Sequence, residues 1–297
     1  MEKQSSALKV YLTFSIELLN GMSLKGLKVL HIWNTAGVAS IIAKYMDRIY
    51  ETKSWVIMRK KFDKFGLTSY GECWDTNAKI FTLRALWKAK NYSLIHVHAF
   101  DRIVPLIKFL YPRKPLVLHY HGSDIRGKWN LRRRYWSKAD FIIVSAPDML
   151  KGAPSEALYL PNPVDTELFY IRGKPEPKTA FHFSYYADDL AKKLAEKYGL
   201  TLTIHNREEN PIPYKTLSLF LSSYEYYIDV KRDLSNLNLL KEISKTGLEA
   251  LACGCKVIRW DGSIMEGLPP EHYPEVVVRK LWEIYRLLLR GRGKKDG

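Results

Sequence analysis

The sequence predicts an α/β protein of two Rossmann-like domains facing each other across a cleft. Three observations predict it. Short apolar runs rich in β-branched residues alternate with segments of helical period along most of the 297 residues. That alternation is the mark of a parallel sheet with helices on both faces. A glycine-containing turn joins the first such strand to the first helix, as in doubly wound folds. A proline-framed break at 161–165 is then followed by a second, shorter round of the same alternation.

The first strand is expected over 28–33 (KVLHIW), the turn over 34–38 (NTAGV) and a helix over 39–49. In that helix Ile41, Ile42, Tyr45, Met46 and Ile49 recur on one face. Further strands are expected at 54–58, 93–98, 115–121 and 141–145. Helices are expected at 78–90, with Leu83, Leu86 and Trp87 on one side, at 103–111 and at 131–139. Pro161 and Pro163 flank Asn162 and fix an extended turn, because proline restricts both its own backbone and that of the residue before it. Pro175 and Pro177 mark a further break, and the domain linker is placed here.

In the second domain, strands are expected at 180–186, 200–205, 226–230 and 256–260, with helices at 188–198, 215–221 and 244–253. A last helix over 275–290 sets Val276, Leu281, Ile284 and Leu288 at core-like positions. The second domain is short, so this helix is expected to return to the first. The limits are then 22–165 for the first domain and 166–274 for the second. The returning helix and a basic tail fill 275–297. Residues 1–21 stand outside the pattern as an extension, or as an amphipathic helix lying on a membrane.

Composition narrows the classes. Hydrophobic residues at 46% and charged residues at 26% fit a packed core rather than disorder. No apolar run is long enough to span a bilayer, and Glu17 interrupts the short stretch that could have served as a signal peptide. Three cysteines are too few for a disulfide framework. A cytoplasmic protein is therefore expected. The net charge of +16 favours polyanions, and an anionic membrane on the inner face of the cell is the partner this fits. Nucleic acid is not expected, because no RNA-binding aromatic signature or zinc-finger spacing accompanies the charge. The single glutamine fits a heat-adapted organism.

Ligands of open parallel sheets bind at the C-terminal strand ends. One such loop holds Gly37, at the start of the first helix. Another is HYHGSD, 119–124, where His121 stands at the strand end with Gly122 and Asp124 after it. His119 lies deeper and reads as core, as does His96; His98 admits either role. The four histidines share an edge, but none of their pairs has helical ligand spacing and no cysteine joins them, so no metal is expected. A third loop leads into Ser244, Lys245 and Thr246, the start of a helix whose cap and free amides suit a phosphate. Glu249, further along, is placed to accept bonds from ribose hydroxyls. No Asp-x-Asp motif for a metal-bound diphosphate is present.

Taken in order, LKVLHIWNTAGVASIIAKYM, LIHVHAFDRIVPLI, LVLHYHGSDIRG, LYLPNPVDTELF and GLEALACGCKVI resemble the segments of family 4 glycosyltransferases, in a short archaeal-type form. The resemblance spans 27–258. It implies the GT-B fold, a nucleotide-sugar donor as co-substrate with no other cofactor, and transfer with retention to a lipid-linked or saccharide acceptor without a metal. It also implies that Glu249 holds the ribose, that His121 and Gly122 face the transferred sugar, and that Gly37 lies near the reacting phosphate. The sequence departs from the family in three ways. Lys241 stands where a second glutamate is usual, with Glu242 one residue out of register. Pro163 replaces a linker glycine. The second domain opens without the Arg and Lys that grip the diphosphate, for which Lys231, Arg232 or Lys245 are candidates. A nucleotide-sugar epimerase of the same fold and a catalytically inactive nucleotide-sugar-binding protein are the alternatives.

Overall fold

A computed structural model describes residues 25–233 and 237–293, the last three of these in backbone only. The proposed extension at 1–21, its Met22 boundary and the end of the basic tail lie outside the described residues.

The first sheet has seven parallel strands in the order β3-β2-β1-β4-β5-β6-β7. They are β1 (Lys28–Ile32), β2 (Lys53–Arg59), β3 (Glu72–Trp74), β4 (Leu94–His98), β5 (Leu116–Tyr120), β6 (Phe141–Val144) and β7 (Leu158–Tyr159). The order reverses between β1 and β4, and an open α/β sheet leaves its ligand crevice at such a reversal. Because crossovers are right-handed, helices after the reversal fall on one face and the helix after β1 on the other. Accordingly α1 (Val38–Tyr50) covers one face, while α2 (Ala78–Ala89), α3 (Val104–Leu110) and α4 (Trp129–Trp136) cover the opposite one.

The second sheet is smaller, in the order β12-β11-β10-β8-β9: β8 (Glu176–Phe183), β9 (Thr201–His205), β10 (Tyr224–Asp229), β11 (Lys256–Arg259) and an antiparallel edge, β12 (Ile264–Met265). Helices α5 (Asp188–Tyr198), α6 (Tyr214–Ser222) and α7 (Lys245–Ala252) flank it. Two Rossmann-like domains thus meet across a cleft, as the GT-B arrangement requires. The last helix, α8 (Pro274–Gly293), lies against α1: Val277, Val278, Leu281, Ile284 and Tyr285 share one buried cluster with Ile41, Ile42, Tyr45 and Met46. Trp282 stacks on Tyr50 with ring centroids 4.3 Å apart.

Several details differ from the sequence-based expectation. The buried face of α2 is Phe81, Ala85, Leu86 and Ala89; Leu83 and Trp87 face outward, 67% and 74% exposed. Apolar residues surround that helix, so its period alone does not choose a face. In α8 the buried stripe runs through Val277 and Val278 rather than Val276. Pro177 does not sit in the linker, because β8 already begins at Glu176, directly after Pro175. Its pairing with β9 starts only at Thr179, so Pro177 occupies an unpaired edge where a missing N–H is tolerated. β3, β7 and β12 are two or three residues long, too short to show a period.

The linker at 161–165 is tied down. Asp165, 4% exposed, accepts from Lys44 Nζ at 3.0 Å and from Tyr45 Oη at 3.1 Å, both on α1. Val164 N donates to His272 O at 3.0 Å, and His272 Nδ1 lies 2.8 Å from Asn162 O. Both crossings between the domains are held at one point, beside the cleft.

Candidate active site

Alternation along β1, β4 and β5 sends every second residue to the same face. The apolar residues Val29, Leu94 and Val117 on that face pack beneath α1 and α8. Continuing in step toward the C-terminal edge come His31, His96, His98 and His119, all fully buried, and then His121 beyond the end of β5. Register sets His31 beside His96 and His98 beside His119. The result is a column of five stacked imidazoles, with centroids 4.1 Å apart for His96–His98 and 4.2 Å for His119–His121. His31 Nδ1 meets His98 Nε2 at 3.1 Å, His98 Nδ1 meets His121 Nε2 at 3.1 Å, and His96 Nδ1 meets Tyr285 Oη at 2.7 Å. The other five ring nitrogens, including both of His119, have no partner among the described residues. Burial holds all five rings neutral: it lowers His31 and His121 to about 3 and His96, His98 and His119 well below the usual histidine range. Each unmade hydrogen bond on a buried polar group costs about 1–3 kcal/mol. Five in one column is therefore a heavy local cost.

His121 lies at the floor of a cavity of about 440 Å³ between the domains. Its loop is turned by Asp124, whose carboxylate accepts from His121 N at 2.9 Å and Gly122 N at 2.6 Å. Asp124 thus shapes the loop, and neither it nor Gly122 lines the cavity. Asn162 and Ser145 do line it, and Asn162 Oδ1, Ser145 Oγ and His121 Nδ1 are buried without hydrogen-bond partners among the described residues.

Opposite them stands the N-terminus of α7. Ser244 caps it, its Oγ accepting from Gly247 N at 2.9 Å, and its own N–H donates to Asp229 Oδ2 at 2.6 Å. Gly247 is required there, since a Cβ would lie 2.6 Å from that same carboxylate oxygen. The first-turn amides of Lys245 and Thr246 have no intrahelical acceptor and carry the positive end of the helix dipole. Glu249, 2% exposed, is fixed by Tyr214 Oη at 2.8 Å and Lys245 Nζ at 2.5 Å, both on Oε1. Oε2 carries no hydrogen bond, and the residue lines an adjoining cavity of about 290 Å³ with Thr246 and Lys231.

The cations sort themselves by pairing. Lys245 is committed to Glu249 and Arg232 to Asp189 at 2.7 Å, so neither is the free charge the sequence reading sought. Lys231 lines both cavities, makes no side-chain hydrogen bond among the described residues, and has its pKa lowered, chiefly by burial. Arg207, missed by the sequence reading, lines the adjoining cavity. Its guanidinium lies over Phe65, 3.9 Å from the ring centroid, with Nε and one terminal nitrogen buried and unpartnered. Glu242, one residue out of register in sequence, lines the larger cavity, whereas Lys241 lies over the Trp260 ring. Gly37 begins α1 with φ of +76°, and a side chain there would meet Tyr214 of the second domain; Ala36, not Gly37, lines the cleft.

No family model matches the chain, and no curated relative matches it. Solved structures of similar course include the UDP-GlcNAc 2-epimerase of Neisseria meningitidis bound to UDP-GlcNAc, at 12% identity over 88% of this chain and 92% of that one, TM-score 0.48. CalG4, the calicheamicin glycosyltransferase, is 10% identical over 90% and 92%, TM-score 0.41. MurG of Acinetobacter baumannii is 11% identical over 88% and 91%, TM-score 0.37.

Proposed function

We propose that this protein is a glycosyltransferase that moves a sugar from a nucleotide-sugar donor to a lipid-linked or saccharide acceptor, with retention of configuration. One observation carries the reading. A capped helix start with free amides, a fixed carboxylate with one oxygen unused, two cations outside any ion pair among the described residues, and the side chains of His121, Asn162 and Ser145 all line one cleft. In this reading the donor diphosphate lies on the first turn of α7, where helix amides bind anions, between Lys231 and Arg207. Glu249 Oε2 takes the ribose hydroxyls. Tyr185 and Phe65, beside Arg207, offer faces for the base. The sugar extends toward His121, Asn162, Ser145 and Glu242. With those cations meeting the leaving charge, transfer needs no magnesium or manganese at the diphosphate.

The acceptor side is read from α2, α3 and α4. These adjacent helices contain seven Lys or Arg and no Asp or Glu. They present Leu83, Trp87, Phe109 and Leu131 outward, each at least 67% exposed. A basic face with protruding apolar side chains suits an anionic membrane holding a lipid-linked acceptor. No helix among the described residues is long and apolar enough to cross a bilayer.

The test is calorimetry against UDP-, GDP- and ADP-sugars, followed by assay of nucleoside diphosphate release with lipid-linked acceptors, each with and without magnesium. The expected result is tight binding of one donor class and release that does not depend on added magnesium. Failure of every donor to bind would remove the reading. Interconversion of the donor sugar without release would replace it with epimerisation.

A further inference from the structure

We infer that the floor of the cleft is a zinc site formed by His98, His119 and His121, with its fourth position open to the cavity. One nitrogen from each of the three rings lies within 4.8 Å of the others. His98 Nδ1 and His121 Nε2 are 3.1 Å apart. A tetrahedral zinc with bonds of about 2.0–2.1 Å separates its ligand nitrogens by about 3.3–3.4 Å, so this pair already stands at ligand spacing. His119 is buried completely and neither of its nitrogens has a partner. A neutral imidazole brings one donor and one acceptor, and the metal takes up the acceptor that the protein leaves idle.

A second group, His31, His96 and His98, is equally compact. It is the weaker candidate. His96 Nδ1 is engaged by Tyr285 Oη, and none of the group's three rings lines the cavity. Only the group containing His121 reaches the cavity, which gives a cation a path in and leaves one coordination position facing a ligand. Three imidazoles with one open position form the donor set of a reactive rather than a closed structural zinc site. The sequence reading expected no metal because it sought helical spacing. Residues i and i+2 on adjacent parallel strands make the cluster instead.

Zinc binding is read without nucleotide, so it stands or falls apart from the transfer reading. The full chain is stripped with chelator, dialysed and titrated with zinc chloride, and its metal content is measured. The expected result is one zinc per chain, replaceable by cobalt with the absorption bands of a tetrahedral site. His119→Asn should lose the metal and His31→Asn should keep it. Because either variant could fail to fold, anomalous scattering at the zinc edge from crystals of the unaltered protein gives an independent reading, with a peak between the three rings. No zinc in the unaltered protein, an ion elsewhere, or loss in His31→Asn with retention in His119→Asn would each overturn the assignment.

Discussion

At the residue scale, the donor side turns on Glu249. Its carboxylate is held by two donors and offers a third contact, so its removal takes away a charge-assisted hydrogen bond and releases Lys245. Such bonds contribute about 1.5–3 kcal/mol. Glu249→Ala should therefore weaken nucleotide-sugar binding by roughly 10- to 100-fold; unchanged affinity by calorimetry in a folded variant would exclude the ribose role. In the proposed reading His121 faces the other end of the donor. Loss of one donor to the developing charge costs on the order of 2.7–4 kcal/mol elsewhere, or about 10²–10³ in turnover. His121→Ala should fall in that range under saturating donor, and a variant with full turnover would move the reacting centre away from β5. Both residues stood out as candidates in sequence, because each sits in a contiguous motif at a strand end or helix start. Ser145 and Arg207 did not, and Glu242 was noted only as one residue out of register, since each joins the cleft from a separate loop.

At the element scale, α8 is part of the first domain's packing although it is last in the chain. Leu281 is fully buried between α8 and α1. Leu281→Ala should cost about 2–5 kcal/mol, as buried leucines do when their space cannot close. Denaturant unfolding would measure it, and a loss below about 0.5 kcal/mol would mean that the helix is not anchored there. The same contact bears on the cleft, because Tyr285 closes the histidine column through His96. The apolar period foretold a helix in this region. Leu281 and Ile284 of the expected stripe are buried, while Val277 and Val278 take the place of Val276 where the helix meets α1.

At the scale of the whole molecule, charge and shape divide the protein into a ligand cleft and a basic face. The net charge of +16 is not spread evenly, since α2, α3 and α4 hold cations alone. Binding to vesicles containing anionic lipid should weaken as salt rises, since exposed charges are screened within about 8 Å at physiological ionic strength. The double variant Trp87→Ser, Phe109→Ser should sediment less with such vesicles than the unaltered protein, with catalysis on a soluble acceptor retained. Equal sedimentation of the two proteins would assign this face to something other than a membrane.

The sequence by itself determined the class of fold, the order of the longer strands and helices, and the serine-capped start of α7. These follow from short-range rules: the period of apolar residues, the reach of a serine cap and the restriction of proline. The tertiary structure alone decided which face of α2 is buried, which cations are already paired, and that five histidines from three strands form one column. Register between strands and the docking of α1 and α8 set those outcomes. A sequence lists His31 sixty-seven positions from His98, and only the pairing of β1 with β4 brings their nitrogens within 3.1 Å. Burial then follows from packing over the same strands, and burial, not residue type, keeps those rings neutral.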